Sequence, residues 1–439
     1  MVPSTTSRVI FFSLALSTLA SCQLLKKGSD GDTSDAATTA ALADGGKGAA
    51  AKDEPALPTT FELVAVGKRS GSKIVWLKKI GDRVWLSGMG IDAFADGEGP
   101  LATGSDLTSG LPQKPGEGWE YTGSGSSLLV ALRATPETAK SDNPPMAWTR
   151  DGKGAWSSGA KFPHLYSYHN FVQQFGFVPW KDGALLVTGQ VSMGTNMALF
   201  NPNVPGTDFE TISPKGEVKQ ATFDLPKEVM AFGADSDGST LSVVGYRAKN
   251  LRAVDISVFR GDDKGPLAET PIMGDPGTQD PKALSAITVR EHGKVALAFI
   301  TSLYYGGGAL ANNASTVFVI GDHAKEPKKI LFAPEGKGAI PAAAYVGGSV
   351  YATVEHGGHF VLSRAAEGGT PTPVKLPSLA KAGAGFHVAK DGEAGLTCEA
   401  IDLFARKNDL WVHANCTGQG MKVPAVFRLG HAQEPIALP

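Results

Sequence analysis

Several groups of side chains in this sequence have types and spacings that could do chemistry. His356 and His359 flank two glycines in Glu355-His-Gly-Gly-His359. A two-residue glycine turn sets the imidazoles on adjoining strands, and with a carboxylate beside them they could ligate Zn²⁺ or Cu²⁺. Such a site needs about three or four ligands, so the run reads equally as a polar hairpin tip. His164-Leu-Tyr166-Ser-Tyr168-His169-Asn170 gathers imidazoles and phenols on an apparent connection. That composition suits holding a polar ligand, or simply packing on a rim. Tyr304-Tyr305-Gly-Gly-Gly308 opens a Gly/Asn-rich loop with the same two readings. The acidic turns Asp235-Ser-Asp237-Gly238 and Gly261-Asp-Asp-Lys-Gly265 carry too few oxygens for Ca²⁺ and suit plain turns. The sequence holds no Gly-x-Ser-x-Gly elbow, P-loop, zinc-protease histidine pair or Cys-x-x-Cys. No catalytic residue is assigned.

A different chemistry surrounds Cys22. Arg8 precedes a short apolar run from Val9 to Ala20, too short to span a bilayer as a helix and suited to a cleaved signal. Leu19-Ala20-Ser21-Cys22 resembles the lipobox of bacterial lipoproteins. The resemblance implies a signal peptide over residues 1–21, diacylglyceryl transfer to the Cys22 thiol, and acylation of the new amino terminus. Each buried methylene of such a lipid contributes about 0.8 kcal/mol of anchoring. Gln23, where sorting to the inner membrane uses Asp, implies the outer membrane of a Gram-negative cell envelope. Covalent lipid is then the one attached group expected; no other cofactor is.

With Cys22 committed to lipid, Cys398 and Cys416 are the two cysteines left in an exported, oxidising setting, and they should pair. The segment between them reads as a hairpin turning at Arg406-Lys407-Asn408. Folding it about Lys407 opposes Cys398 to Cys416, Ala400 to Ala414 and Phe404 to Leu410. Directly opposed Cβ atoms lie about 4.5 to 5.5 Å apart, close to what a disulfide requires.

The elements that position these groups are short strands. Fifty-four Gly and 28 Pro against 19% charged residues describe many tight turns. The net charge of −2, without a basic block, gives no field to draw in nucleic acid. Residues 22–58 form a lipid-anchored linker, because from Lys26 to Pro58 almost nothing is large and apolar. Fully extended, that stretch reaches on the order of 100 Å.

Residues 59–439 are repetitive. Turn-strand units place glycines at 183, 238, 293 and 348, an interval of 55. Looser copies begin at Gly81, Ser126 and Asn408, giving seven units. A second element recurs at Ala198-Leu-Phe200, Val258-Phe-Arg260, Val317-Phe-Val319, Phe360-Val-Leu362 and Val426-Phe-Arg428. A repeat of this size built from short strands predicts an all-β, seven-bladed β-propeller, with six or eight blades and tandem β-sandwiches as alternatives. A ring must bury its strand edges, so Phe61–Gly67 is predicted to pair with the C-terminal strands near Val426. Thr149-Arg-Asp151-Gly-Lys-Gly154-Ala-Trp156 resembles the Asp-box of sialidase-type propellers, with its glycine displaced and Ala155 in place of Thr. That motif is structural, and its resemblance supports the architecture alone.

The functional expectation is an envelope-anchored propeller that binds or scaffolds a protein, peptide or glycan. A propeller hydrolase or lyase acting on envelope polysaccharide or peptide is the alternative, and a metal-binding protein using His356 and His359 is a third.

Overall fold

The computed structural model describes residues 59–88, 90–112, 119–124, 129–133, 145–150, 154–162, 171–191, 206–250, 253–273, 280–291, 294–305, 309–321, 325–333, 339–406 and 409–439. Among the described residues every regular element is a β-strand.

The chain opens with β1 (Phe61–Gly67) and then builds six antiparallel sheets, each from four consecutive strands. The first holds β2 (Trp76–Ile80), β3 (Arg83–Gly88), β4 (Ile91–Asp96) and β5 (Ala102–Gly104). The second holds β6 (Trp119–Thr122), β7 (Leu129–Arg133), β8 (Met146–Arg150) and β9 (Ala160–Lys161). The third holds β10 (Phe171–Trp180), β11 (Gly183–Val191), β12 (Thr207–Ile212) and β13 (Val218–Gln220). The fourth holds β14 (Val229–Ser236), β15 (Leu241–Asn250), β16 (Ala253–Gly261) and β17 (Ala268–Met273). The fifth holds β18 (Asp280–Glu291), β19 (Lys294–Tyr305), β20 (Ala309–Ile320) and β21 (Lys328–Ala333). The sixth holds β22 (Ala339–Val346), β23 (Ser349–His356), β24 (His359–Ala366) and β25 (Thr372–Pro373). After a small hairpin, β26 (Leu379–Ala382) and β27 (Gly385–Val388), come β28 (Thr397–Arg406), β29 (Asp409–Gly418), β30 (Met421–Leu429) and β31 (Ile436–Leu438). These last four enclose β1 in a five-stranded sheet of order β28-β29-β30-β1-β31.

The first strand of each sheet packs on the first strand of the next: β2 on β6, β6 on β10, β10 on β14, β14 on β18, β18 on β22, and β22 on β28. Because β28 packs in turn on β2, the succession closes on itself. This is a β-propeller, and the tandem-sandwich alternative falls. The expectation of seven blades is corrected to the alternative of six. Six blades are contiguous and four-stranded, and the ring is completed by a composite sheet drawn from both ends of the chain. That closure follows the sequence reading: β1 lies antiparallel to β30 with Ala65 opposite Val426, and parallel to β31 on its other edge. Pairing β1 on both sides removes the free edges that an open array would expose.

Gly183, Gly238 and Gly348 sit where the first strand of a sheet turns into the second, while Gly293 lies outside the described residues; the glycines are needed for different reasons. Gly348 has φ +72, a left-handed conformation that costs a residue with a Cβ. At Gly183 it is space that matters, since an added Cβ would lie 2.0 Å from the Ile212 carbonyl oxygen. Where it is described, the second repeated element forms third strands, and Ala198-Leu-Phe200 lies outside the described residues. Val258 and Phe259 of β16, Val317 and Phe318 of β20, and Val426 and Phe427 of β30 are all buried. Adjacent strand residues face opposite ways, so burial of both shows sheets covered on both faces by their neighbours.

Trp156 of the Asp-box-like segment pairs with Arg150 and donates its Nε1–H to the Ser109 carbonyl, 2.9 Å away. The acid of that segment, Asp151, lies outside the described residues.

Candidate functional site

The residues singled out in the sequence do not converge. Cys22 and the tetrad His164, Tyr166, Tyr168 and His169 lie outside the described residues. Tyr304 and Tyr305 end strand β19, and their side chains also lie outside the description. His356 and His359 are opposite each other across the β23–β24 turn, with Gly357 and Gly358 at φ +60 and +84. His359 Nδ1 lies 3.0 Å from Glu399 Oε1 of β28, while Glu355 accepts the Gly358 N–H at 2.9 Å. Among the described residues no group of three or more His, Cys, Asp and Glu side chains forms a metal-ligating cluster. The acidic turns act as turns: Asp237 Oδ1 accepts the N–H groups of Ser239 and Thr240.

Cys398 and Cys416 are joined in a disulfide and oppose each other in register, as do Ala400 and Ala414. Beyond Ala400 the sequence reading is corrected. A bulge between Ala400 and Asp402 shifts the pairing by one, so Phe404 opposes Trp411 and Ala405 opposes Leu410. Without the bulge His413 would face Ile401; with it, His413 faces Asp402. Directly opposed residues of an antiparallel pair share a face of the sheet, so the carboxyl and the imidazole project to the same side. Phe404 and Trp411, one pair further along that face, stack with ring centroids 6.5 Å apart and pack with Val84 and Leu86 of the first blade. The pair therefore stands above an apolar floor, on the strand β28 that packs against β2.

Both groups are perturbed by this setting. Asp402 is exposed by surface area, yet the surrounding chain withdraws enough solvent to push its carboxyl up to about 6. The Leu403 N–H, donated at 2.8 Å, and the charge of Lys78 on β2 pull the other way. The Asp402 carboxyl thus stays accessible while the packing around it disfavours its charge. Burial alone lowers His413 to about 4, and among the described residues none pairs with its imidazole. Near neutral pH the hairpin thus presents a neutral imidazole and a carboxylate close to its own titration range, with Lys78 of β2 near enough for its charge to act on Asp402. Such a set can hydrogen-bond a polar ligand or pass a proton to one.

Bulges at comparable places interrupt the first strands of four other blades, between Gln174 and Gly176, Ala231 and Gly233, Pro281 and Ala283, and Ala339 and Ala342. A bulge re-aims side chains and often adjoins a functional surface. Here the inner strands share the device, and β28 is where it brings titratable groups together.

No protein-family model matches the chain, and no curated protein matches it. Among solved structures, one from a study of two prolyl endopeptidases aligns over 87% of this chain at 13% identity and a TM-score of 0.49. The chain spans 49% of that protein's length. The β-propeller domain of the Trilobed protease from Pyrococcus furiosus aligns over 83% of this chain and 96% of its own, at 11% identity and a TM-score of 0.44. The polysaccharide lyase Uly1 aligns over 85% and 98%, at 12% identity and a TM-score of 0.43. The likeness is one of fold.

Proposed function

We propose that the chain is a lipid-anchored propeller of the cell envelope that binds a peptide or glycan segment at Asp402, His413 and Lys78. The observation that carries the reading is the opposition of Asp402 and His413 on the inner hairpin of the closing sheet. Among the described residues neither side chain is in a salt bridge, and apart from the Leu403 N–H accepted by Asp402 their hydrogen-bonding capacity is available to a ligand. A carboxylate, a neutral imidazole and an ammonium suit a partner rich in amide and hydroxyl groups. Lipid on Cys22 and the linker of residues 22–58 would hold this domain at the outer membrane, within reach of envelope polymers.

Calorimetric titration of the mature protein with soluble peptidoglycan fragments, and separately with their glycan and peptide portions, tests the proposal. Binding weakened at least tenfold by both Asp402→Asn and His413→Ala supports it. Binding unaffected by these changes, or absent for every fragment, overturns it.

A second reading rests on the upward displacement of Asp402 beside a neutral His413. That arrangement suits general acid–base chemistry in a hydrolase or lyase acting on an envelope polysaccharide or peptide. It predicts turnover of the same fragments with a pH limb near 6, lost in Asp402→Asn. Metal binding by His356 and His359 remains the third reading. It predicts stoichiometric metal in purified protein that disappears when both histidines are replaced.

A further inference from the structure

Four basic side chains meet where the chain leaves β1 for the first blade. Arg69-Ser70-Gly71-Ser72 forms a tight turn, closed by the Ser72 N–H donating to the Arg69 carbonyl at 3.1 Å, with Gly71 at φ +98. Its surroundings pin it. The Lys68 N–H donates to the Leu438 carbonyl of β31 at 2.8 Å, and the Lys422 N–H of β30 donates to the Ser70 hydroxyl at 3.0 Å. Lys73 passes so close to β3 that a Cβ on Gly88 would lie 2.6 Å from the Lys73 carbonyl oxygen. Lys68, Arg69 and Lys73 are thus held on one short connection, Lys422 adjoins it, and all four residues are exposed.

The backbone here is committed and the charges are not. Among the described residues none of these four side chains is in an ion pair, a hydrogen bond or a ring contact. Arg69 stands apart in this, because every other arginine whose side chain is described bonds a carboxylate, a carbonyl or a hydroxyl. The connection into β28 runs beside the β29–β30 turn, where a Cβ on Gly418 would lie 3.5 Å from the Gly395 carbonyl oxygen. Its acids are engaged elsewhere: Glu393 lies 3.1 Å from His387 Nε2, and Glu399 lies 3.0 Å from His359 Nδ1. A chain of net charge −2 therefore keeps a compact positive patch on a backbone that cannot spread its charges apart. Like charges so gathered repel, and a partner bearing negative charge relieves the repulsion.

What surrounds the charges selects the partner. The tip of the turn is Ser70-Gly71, and the exposed large apolar residue that follows it is Val75, 48% exposed. Trp76, next in the chain, packs with Trp85 and Tyr121 instead. A turn that docks on lipid carries Trp, Phe or Leu to insert, and a protein interface has an apolar, aromatic centre. Neither is provided here. We propose that Lys68, Arg69, Lys73 and Lys422 form a docking surface for an acidic polysaccharide, a glycan with carboxylates on successive sugars. The Arg69 guanidinium suits a two-pronged grip on one carboxylate, and the lysines meet its neighbours as point charges. The surface shares no residue with the set at Asp402 and His413, and binding there falls as salt screens it.

Calorimetric titration of the full mature chain with polygalacturonate tests the proposal, with Cys22→Ser introduced so that no lipid contributes. Binding should appear at low salt, weaken about tenfold between roughly 50 and 300 mM NaCl, and be absent with neutral dextran. Replacing Lys68, Arg69, Lys73 and Lys422 together with Gln should weaken it by at least about tenfold. The same change of charge at exposed Lys215, Lys227, Lys264 and Lys325 should leave it within about twofold. All the replaced side chains are exposed, so both variants should fold, which circular dichroism checks. Failure to bind polygalacturonate, or equal losses in the two variants, overturns the proposal. Tighter binding to phosphatidylglycerol vesicles than to polygalacturonate also overturns it and assigns the patch to a lipid surface.

Discussion

Asp409 and Arg428 are bonded twice in the buried interior of the closing sheet, through Nε to Oδ1 at 3.0 Å and Nη2 to Oδ2 at 2.6 Å. Arg406 adds a third bond to the same carboxylate at 2.8 Å, and His431 Nε2 lies 3.0 Å from Oδ1. The remaining donors cross to the first blade. Arg428 reaches the carbonyls of Gly99 at 2.7 Å and Glu98 at 3.1 Å, while Arg406 reaches those of Asp82 at 2.8 Å, Ala95 at 3.0 Å and Gly97. The Arg428 guanidinium also lies over the Trp411 ring, 4.8 Å from its centroid. One carboxylate thus orients two arginines whose free arms bind backbone oxygens on the neighbouring blade. The composite sheet is fastened laterally by this cluster and edge to edge by β1.

Removing the carboxylate should therefore be costly. Asp409→Ala leaves two buried guanidiniums facing each other, and breaking such an arrangement by loss of one partner costs about 3 to 5 kcal/mol. Urea unfolding should show a midpoint shift of that size, with Asp409→Asn intermediate because its amide oxygen still accepts. A loss below about 1 kcal/mol would mean that the backbone carbonyls alone hold the arginines.

Stability should respond to pH through His413 and Asp402 in opposite senses. His413 is lowered in the folded state to about 4, so the unfolded chain takes up the proton first. Its contribution is complete above roughly 6.5 and fades as pH falls toward 4. Asp402 is raised to about 6, so its contribution is complete below the unfolded value near 4 and fades as pH rises through 6. Replacing His413 with Gln should flatten the acid limb of a stability profile by at most ~3 kcal/mol between pH 7 and 4. Replacing Asp402 with Asn should instead steepen the loss of stability between pH 6 and 4, because the carboxyl's opposing contribution in the same window is removed. Urea midpoints measured across this range check both, and an unchanged acid limb in the His413 variant refutes its burial as the cause.

The disulfide closes a loop of sequence separation 18 within the inner hairpin. A cross-link over a loop of that order contributes about 3 kcal/mol. Cys398→Ser with Cys416→Ser should lower stability by that amount, and reduction of the unmodified protein should reproduce the effect. Because the bond lies on the strands that carry Asp402 and His413, ligand affinity should fall with it if the bulged register depends on the link.

The β architecture was legible because its signals are local and repeated. Gly183, Gly238 and Gly348 mark turns between first and second strands, and the Val-Phe pairs mark third strands buried on both faces. The pairing of Phe61–Gly67 with the C-terminal strands was legible from the need to remove edges. What escaped was register. A one-residue bulge has no side-chain signature, and in its absence Ile401, not Asp402, would stand opposite His413.

The sheet order makes the weight carried by β1 testable. In the closing sheet β1 alone connects β30 to β31, with Phe61 opposite Leu429, Val66 opposite Ala425, and Gly67 beside Leu438. Its Leu63 and Val66 enter the core shared with the sixth blade, whereas Val64 and Ala65 enter the one shared with the first. Deleting residues 59–68 therefore strips one strand from between two others, uncovers the edge of β30, and opens both apolar cores. The truncated chain should aggregate, or unfold at a much lower urea concentration than the intact domain, as followed by light scattering and circular dichroism. Adding the segment Thr59–Lys68 as a separate peptide should partly restore the transition, because the missing strand is held by backbone pairing on both sides. A truncated chain as stable as the intact one would mean that β1 only covers the ring and does not close it.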